Sequence, residues 1–104
     1  EEVKARGAHV IVVTDKEWWQ NFESLTGFLD SYQATEDERY LDTFIKLWEF
    51  DKKYFYNPEV GESRQLLLAD GTPVIDDTGN QWKCIYHTDR AMMECCLRIE
   101  SLTE

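Results

Sequence analysis

"KEWWQNFESLTGFLDSYQATEDERY", residues 16–40, is the stretch on which the fold turns. Trp18, Phe22, Leu25, Leu29 and Tyr32 step along it by four, three, four and three residues. That period matches the 3.6-residue turn of a helix with one face in a core. Thr14 and Glu17, just ahead, have the spacing at which two side chains each satisfy the other's free backbone N–H. Gly27 interrupts the helix at a cost of about 1 kcal/mol relative to alanine, which suggests close packing or ligand approach there. "ATEDERY" ends the first helix, and Thr35 and Glu38 repeat the capping spacing for a second. The second stripe is Leu41, Phe44, Ile45 and Trp48, with Phe55 extending it, until Pro58 stops the helix. The short break at 34–37 predicts two antiparallel neighbours.

Outward from these helices the pattern changes. "HVIVVT" (9–14) reads as extended chain, and "SRQLLLADGTPVI" (63–75) as a short β-hairpin turning at Asp70–Gly71. A polar loop follows. A last helix is expected from about Asp89 to Leu102, core-facing through Met92, Cys96 and Ile99 on one side and Met93 and Leu97 on another. The sum is a mainly α chain: three helices plus a short β-hairpin, in a single piece over residues 1–104 with no linker.

Charge and cysteine usage remove several function classes. The net charge is −10, and no cluster of Lys or Arg exists to hold nucleic acid or an anionic membrane surface. The longest purely apolar run, Val10–Val13, is too short for a membrane span or a signal peptide. Cys84, Cys95 and Cys96 are odd in number and form no C-x-x-C. Free thiols fit a reducing, cytoplasmic compartment. Cys84 and His87 lack two further ligands for zinc. The loop at Asp76, Thr78 and Asn80 departs from a calcium loop at Gln81 and His87. No metal and no cofactor is expected.

Chemistry concentrates in "QWKCIYH", residues 81–87. His87 can accept or donate a proton near neutral pH, and a helix starting behind it, capped by Thr88 or Asp89, would favour the neutral imidazole of a general base. A surface or capping histidine reads equally well. Trp82 stands on an irregular segment beside it, where a tryptophan is better explained by binding than by core packing. Trp18 and Trp19 are consecutive, so on a helix they point about 100° apart. Trp18 fits the core stripe, and Trp19 shares a face with Glu23 and Gly27. An aromatic plate beside a carboxylate is a way to hold a sugar; an exposed polar face with one partly covered Trp is the plainer alternative. Arg90 is expected to pair with Glu94.

"KEWWQNFESLTGFLDSYQATEDERYL" together with "QWKCIYHTDRAMMECCLRI" resembles the C-terminal part of the N-acylglucosamine 2-epimerase and cellobiose 2-epimerase superfamily, over about residues 10 to 102. The resemblance implies the C-terminal quarter of an (α/α)6 barrel, with a sugar site at one mouth. It implies two histidines that remove and return the proton at C2 of an open-chain sugar through an enediolate, without metal or organic cofactor. His87 matches the C-terminal member of that pair, whereas His9 matches nothing. Trp82 matches an aromatic lining the sugar site, Trp18 and Trp19 the family's paired tryptophans, and Glu23 the acid of the same motif. Gln20–Asn21, Phe22, Ile85 and Thr88–Asp89 depart from the family pattern and leave the sugar open, along with epimerisation against aldose–ketose isomerisation. A barrel of twelve helices needs several times this length, so the chain is expected to be a fragment, inactive alone and prone to self-association through exposed helix faces. A helical protein-interaction module, or a carbohydrate-binding module without catalysis, is the competing reading.

Overall fold

A computed structural model describes residues 14–103. The extended reading of residues 9–13 therefore lies outside the described residues. Strand β1 (Lys16–Glu17) runs directly into helix α1 (Trp18–Thr35). Helix α2 (Glu38–Phe50) continues into a π-helical turn, Asp51–Phe55. Four short strands follow: β2 (Tyr56–Asn57), β3 (Glu62–Ser63), β4 (Leu66–Leu67) and β5 (Pro73–Ile75). Helix α3 (Tyr86–Thr103) closes the chain. Three helices and the hairpin match expectation; the β2–β3 ribbon and the pairing of β1 with β4 were not anticipated.

Helix α1 packs against both α2 and α3. Its stripe is buried as its period requires: Trp18, Phe22, Leu25 and Leu29 form the core with Phe44, Phe55, Leu67, Ala91 and Cys95. Leu25 and Leu29 are fully covered, and each such side chain contributes roughly 1.5–3 kcal/mol. In α2 the stripe is narrower than expected, because Ile45 points to solvent.

The helix caps depart from the capping-box spacing. The Trp18 N–H donates to the Gln65 carbonyl (3.0 Å) because β1 pairs antiparallel with β4, so a strand rather than Thr14 occupies the start of α1. At α2 the cap is Asp37, whose Oδ1 accepts the Arg39 N–H at 3.0 Å. Between the helices Glu36 takes the left-handed conformation (φ 55°), and its N–H returns to the Tyr32 carbonyl. Gly27 is exposed with open space beside it, so nothing described packs closely there.

The predicted hairpin is present, with β4 and β5 antiparallel around Asp70–Gly71. Asp70 Oδ1 accepts the Thr72 N–H (2.9 Å), and Gly71 has φ 95°. A Cβ at Gly71 would overlap the Tyr54 ring, so this turn is docked on the π-helical segment.

Helix α3 corrects two expectations. It begins at Tyr86, three residues before Asp89, so His87 lies in its first turn and Thr88 donates to Ile85 O rather than capping. Its core face is Thr88, Ala91 and Cys95, not Cys96 and Ile99. Small residues sit innermost because α1 approaches closely there, with Thr26 Oγ1 at 3.7 Å from Cys95 Sγ. Met93, Leu97, Ile99 and Leu102 remain exposed. All three cysteines are free.

Candidate active site

Two helices build one polar cluster. Trp19 and Glu23 are one turn apart on α1, while Tyr86 and His87 lie in the first turn of α3 and Arg90 just after it. Packing of the two helices brings Glu23 Oε1 to 3.1 Å from His87 Nδ1. The same oxygen accepts from Arg90 Nε at 3.0 Å and Nη2 at 2.7 Å. Arg90 also donates to the Tyr86 hydroxyl and lies over that ring, 4.3 Å from its centroid.

Three aromatic rings enclose His87 only partly. Tyr86 is edge-on at 4.9 Å between centroids, Trp19 tilted at 5.7 Å and Trp18 edge-on at 6.0 Å. Trp18 is buried, as the core stripe demands, while Trp19 is partly open and donates Nε1–H to Glu17 Oε2 at 2.7 Å. The third tryptophan of the motif set, Trp82, stands apart: it is 76% exposed, and among the described residues no ring contact joins it to His87. Its segment is held by Asn80, whose Oδ1 accepts the backbone N–H of Trp82 (2.8 Å) and of Lys83 (2.9 Å). The sequence-derived residues Trp18, Trp19, Glu23 and His87 are thus brought together, and Trp82 is not.

The electrostatics follow from that geometry. The guanidinium of Arg90, hydrogen-bonded to Glu23, is held above the ordinary arginine range. Glu23 accepts in its ionised form, so a neutral His87 facing it carries its proton on Nδ1 and keeps the lone pair on Nε2. That is the tautomer of a base whose working nitrogen is Nε2. Glu23 uses one oxygen for all three contacts, and among the described residues Oε2 accepts no hydrogen bond.

The expected Arg90–Glu94 pair does not form. Glu94 pairs with Arg98 at 2.5 Å, and Arg98 also reaches Asp30 at 2.6 Å. Arg90 instead crosses to Glu23, which helical spacing within α3 alone does not reveal. The signal was present in H-x-x-R: residues three apart share a helix face, so Arg90 meets whatever His87 meets. Lys83 was also missed. Its side chain is fully buried, donating to the Thr78 carbonyl at 2.9 Å and lying 3.9 Å from Glu62 Oε1. Burial pushes its ammonium below the ordinary lysine range, with Glu62 opposing. This contact anchors the loop that carries Trp82.

Known proteins resemble this chain in sequence and in backbone. Residues 4–91 match the family model described as N-acylglucosamine 2-epimerase (GlcNAc 2-epimerase). A cellobiose 2-epimerase of Ruminococcus albus is 36% identical over 83 residues, which is 78% of this chain and 21% of that protein. The structure of cellobiose 2-epimerase from Spirochaeta thermophila superposes with a TM-score of 0.81 at 33% identity, over 86% of this chain and 23% of the other. A D-mannose isomerase structure superposes with a TM-score of 0.73 at 28% identity, over 79% of this chain and 21% of the other. The chain therefore spans about a fifth of the length of the relatives it matches. With a family model matched over most of its length and a backbone that superposes on a cellobiose 2-epimerase, the chain belongs to the N-acylglucosamine 2-epimerase family.

Proposed function

We propose that these residues supply one wall of a sugar 2-epimerase or isomerase site within a larger helical barrel. His87 is one of two groups that move the C2 proton of an open-chain aldose or N-acyl hexosamine. Its Nε2 takes the proton to leave an enediolate, or returns it, and the partner group acts from the opposite face of the sugar. Glu23 positions His87 through Nδ1 and keeps Oε2 for a sugar hydroxyl. Trp19 and Trp82 offer ring faces to the C–H faces of the sugar, and Trp18 supports them from the core. The observation that carries this reading is the Nδ1 contact of 3.1 Å between His87 and Glu23, beside a tryptophan ring at 5.7 Å. The chemistry draws on no metal or organic cofactor, and the substrate is a sugar.

The isolated 104-residue chain is expected to show no turnover, since its other histidine, His9, matches neither member of the acid–base pair that the family resemblance implies. The test is therefore a graft of residues 14–103 into the Ruminococcus albus cellobiose 2-epimerase in place of its matching stretch. Deuterium incorporation at C2 of cellobiose in heavy water reads the proton transfer. His87→Asn should lower the rate by about 10²-fold or more. Unchanged incorporation in that variant would remove His87 from the chemistry.

A second reading is sugar holding without catalysis, favoured by the exposed ring of Trp82. Saturable quenching of tryptophan fluorescence by cellobiose in the isolated chain, lost in Trp82→Ala, would support it.

A further inference from the structure

A cavity of about 430 Å³ shares no lining residue with the His87 cluster. Its apolar walls include Phe22 of α1, Trp48 of α2, Met92 of α3 and Tyr56 of β2. Among the polar side chains of that lining are Asp51, at the first position of the π-helical turn, and Ser63 of β3. Asp51 is 0% exposed and Ser63 3%. Neither carboxylate oxygen of Asp51, nor Ser63 Oγ, has a hydrogen-bond partner among the described residues. A buried carboxyl without a partner is costly, and its persistence against an apolar hollow calls for a ligand.

The sign of that ligand follows from the other charges facing the cavity. Glu62 is already engaged: it accepts the Ser63 N–H at 2.6 Å, lies 3.9 Å from the Lys83 ammonium, and shares the single Thr88 hydroxyl proton (3.1 Å) with the Ile85 carbonyl. Lys52 is turned to Glu49 at 2.9 Å and lies over the Trp48 ring. Lys16, which bears on Asp51 from β1, lies over the Phe50 ring. Asp89 adds a further negative group on the rim. The lining carries Asp51, Glu62 and Asp89 against Lys52, so acids outnumber cations there and the cavity is negative.

We propose that this cavity is a binding site for a small organic cation, an ammonium on an aromatic or aliphatic body. The ammonium donates to the Asp51 carboxylate and to Ser63 Oγ, and the body lies against Phe22, Trp48 and Met92. Aromatic walls favour such an ion through the ring faces as well, and the volume is that of ordinary small-molecule pockets. Burial pushes the Asp51 carboxyl up to about 7, so its ligand is preferred above neutrality.

Benzylammonium, with benzyl alcohol as the uncharged probe of the same shape, tests this on the whole 104-residue chain. Amide shifts of Asp51, Ser63 and Met92 and the Trp48 indole signal follow each titration at pH 8. Benzylammonium should bind saturably and more tightly than benzyl alcohol. Asp51→Asn should weaken it about tenfold or more while leaving benzyl alcohol unchanged. Lowering the pH to 5 should do the same to the unaltered chain, which gives the answer without any variant. Equal binding of the two probes, no saturable binding of benzylammonium, or binding indifferent to pH would overturn the proposal. None of these outcomes bears on His87.

Discussion

Glu23 shows how much one carboxylate oxygen can organise. It holds the imidazole of His87 and the guanidinium of Arg90 together, so the side-chain amide of Glu23→Gln would satisfy neither properly. The expected outcome is a His87 ring that samples both neutral tautomers, visible in the imidazole 15N shifts above pH 8. In the graft the C2 exchange rate should fall by about 10-fold to 100-fold, the range for losing a group that orients a functional side chain. A single Nδ1–H tautomer in Glu23→Gln would mean that another group orients the ring. Asp51 makes the opposite kind of prediction. Its folded-state value of about 7 lies above the ordinary 3.8, so folding favours the protonated acid. Stability contributed by that preference is present below about pH 4 and is lost as the pH rises through 7. Asp51→Asn should therefore match the parent chain near pH 4 and exceed it by up to roughly 4 kcal/mol at pH 8. Denaturant unfolding at the two pH values checks this, and a variant less stable at pH 8 would show that Asp51 has a cationic partner within the chain.

At the scale of elements, the hairpin turn and the outer face of α3 carry the clearest consequences. Gly71 combines a left-handed backbone with contact against the Tyr54 ring, so Gly71→Ala meets both a conformational and a steric penalty. A loss of about 2–4 kcal/mol in chemical unfolding is expected; a loss under about 0.5 kcal/mol would mean the turn is not docked on Tyr54. On α3, Met93 is 63% exposed and Leu97 61%, one turn apart. An apolar stripe left to water drives association. Sedimentation of the isolated chain should show oligomers that Met93→Glu with Leu97→Glu reduces to monomer. The element pattern was legible where one residue type repeats, as in the α1 stripe and the Asp70–Gly71 turn. It was illegible where small or polar residues take core positions. Ala91 and Cys95 carry less hydrophobic signal than Met93 and Leu97, yet close approach of α1 puts the small pair inside. Tyr86, His87 and Thr88 offer no start signal, so α3 was read three residues short.

At the scale of the whole molecule, a polar cluster around His87 lies at one side of a helical core. The four residues Trp18, Trp19, Glu23 and His87 were legible because each sits in a motif of unusual residue types. Arg90 was assigned to Glu94 because sequence spacing sees neighbours along one helix and not across two. Asp51 carries no sequence signal of burial, because a carboxylate beside an apolar stripe is normally a solvated edge. Among the described residues no helix is long and apolar enough to cross a membrane. The join at Trp18 ties these parts together. The strand before it is paired to the hairpin, the residue itself is in the core, and the next residue faces His87. With no loop between strand and helix, α1 cannot rotate about its axis without breaking the Trp18–Gln65 hydrogen bond. The hairpin is thus a torsional stop: it sets the angle at which Trp19 and Glu23 are presented, although it contributes no atom to their cluster.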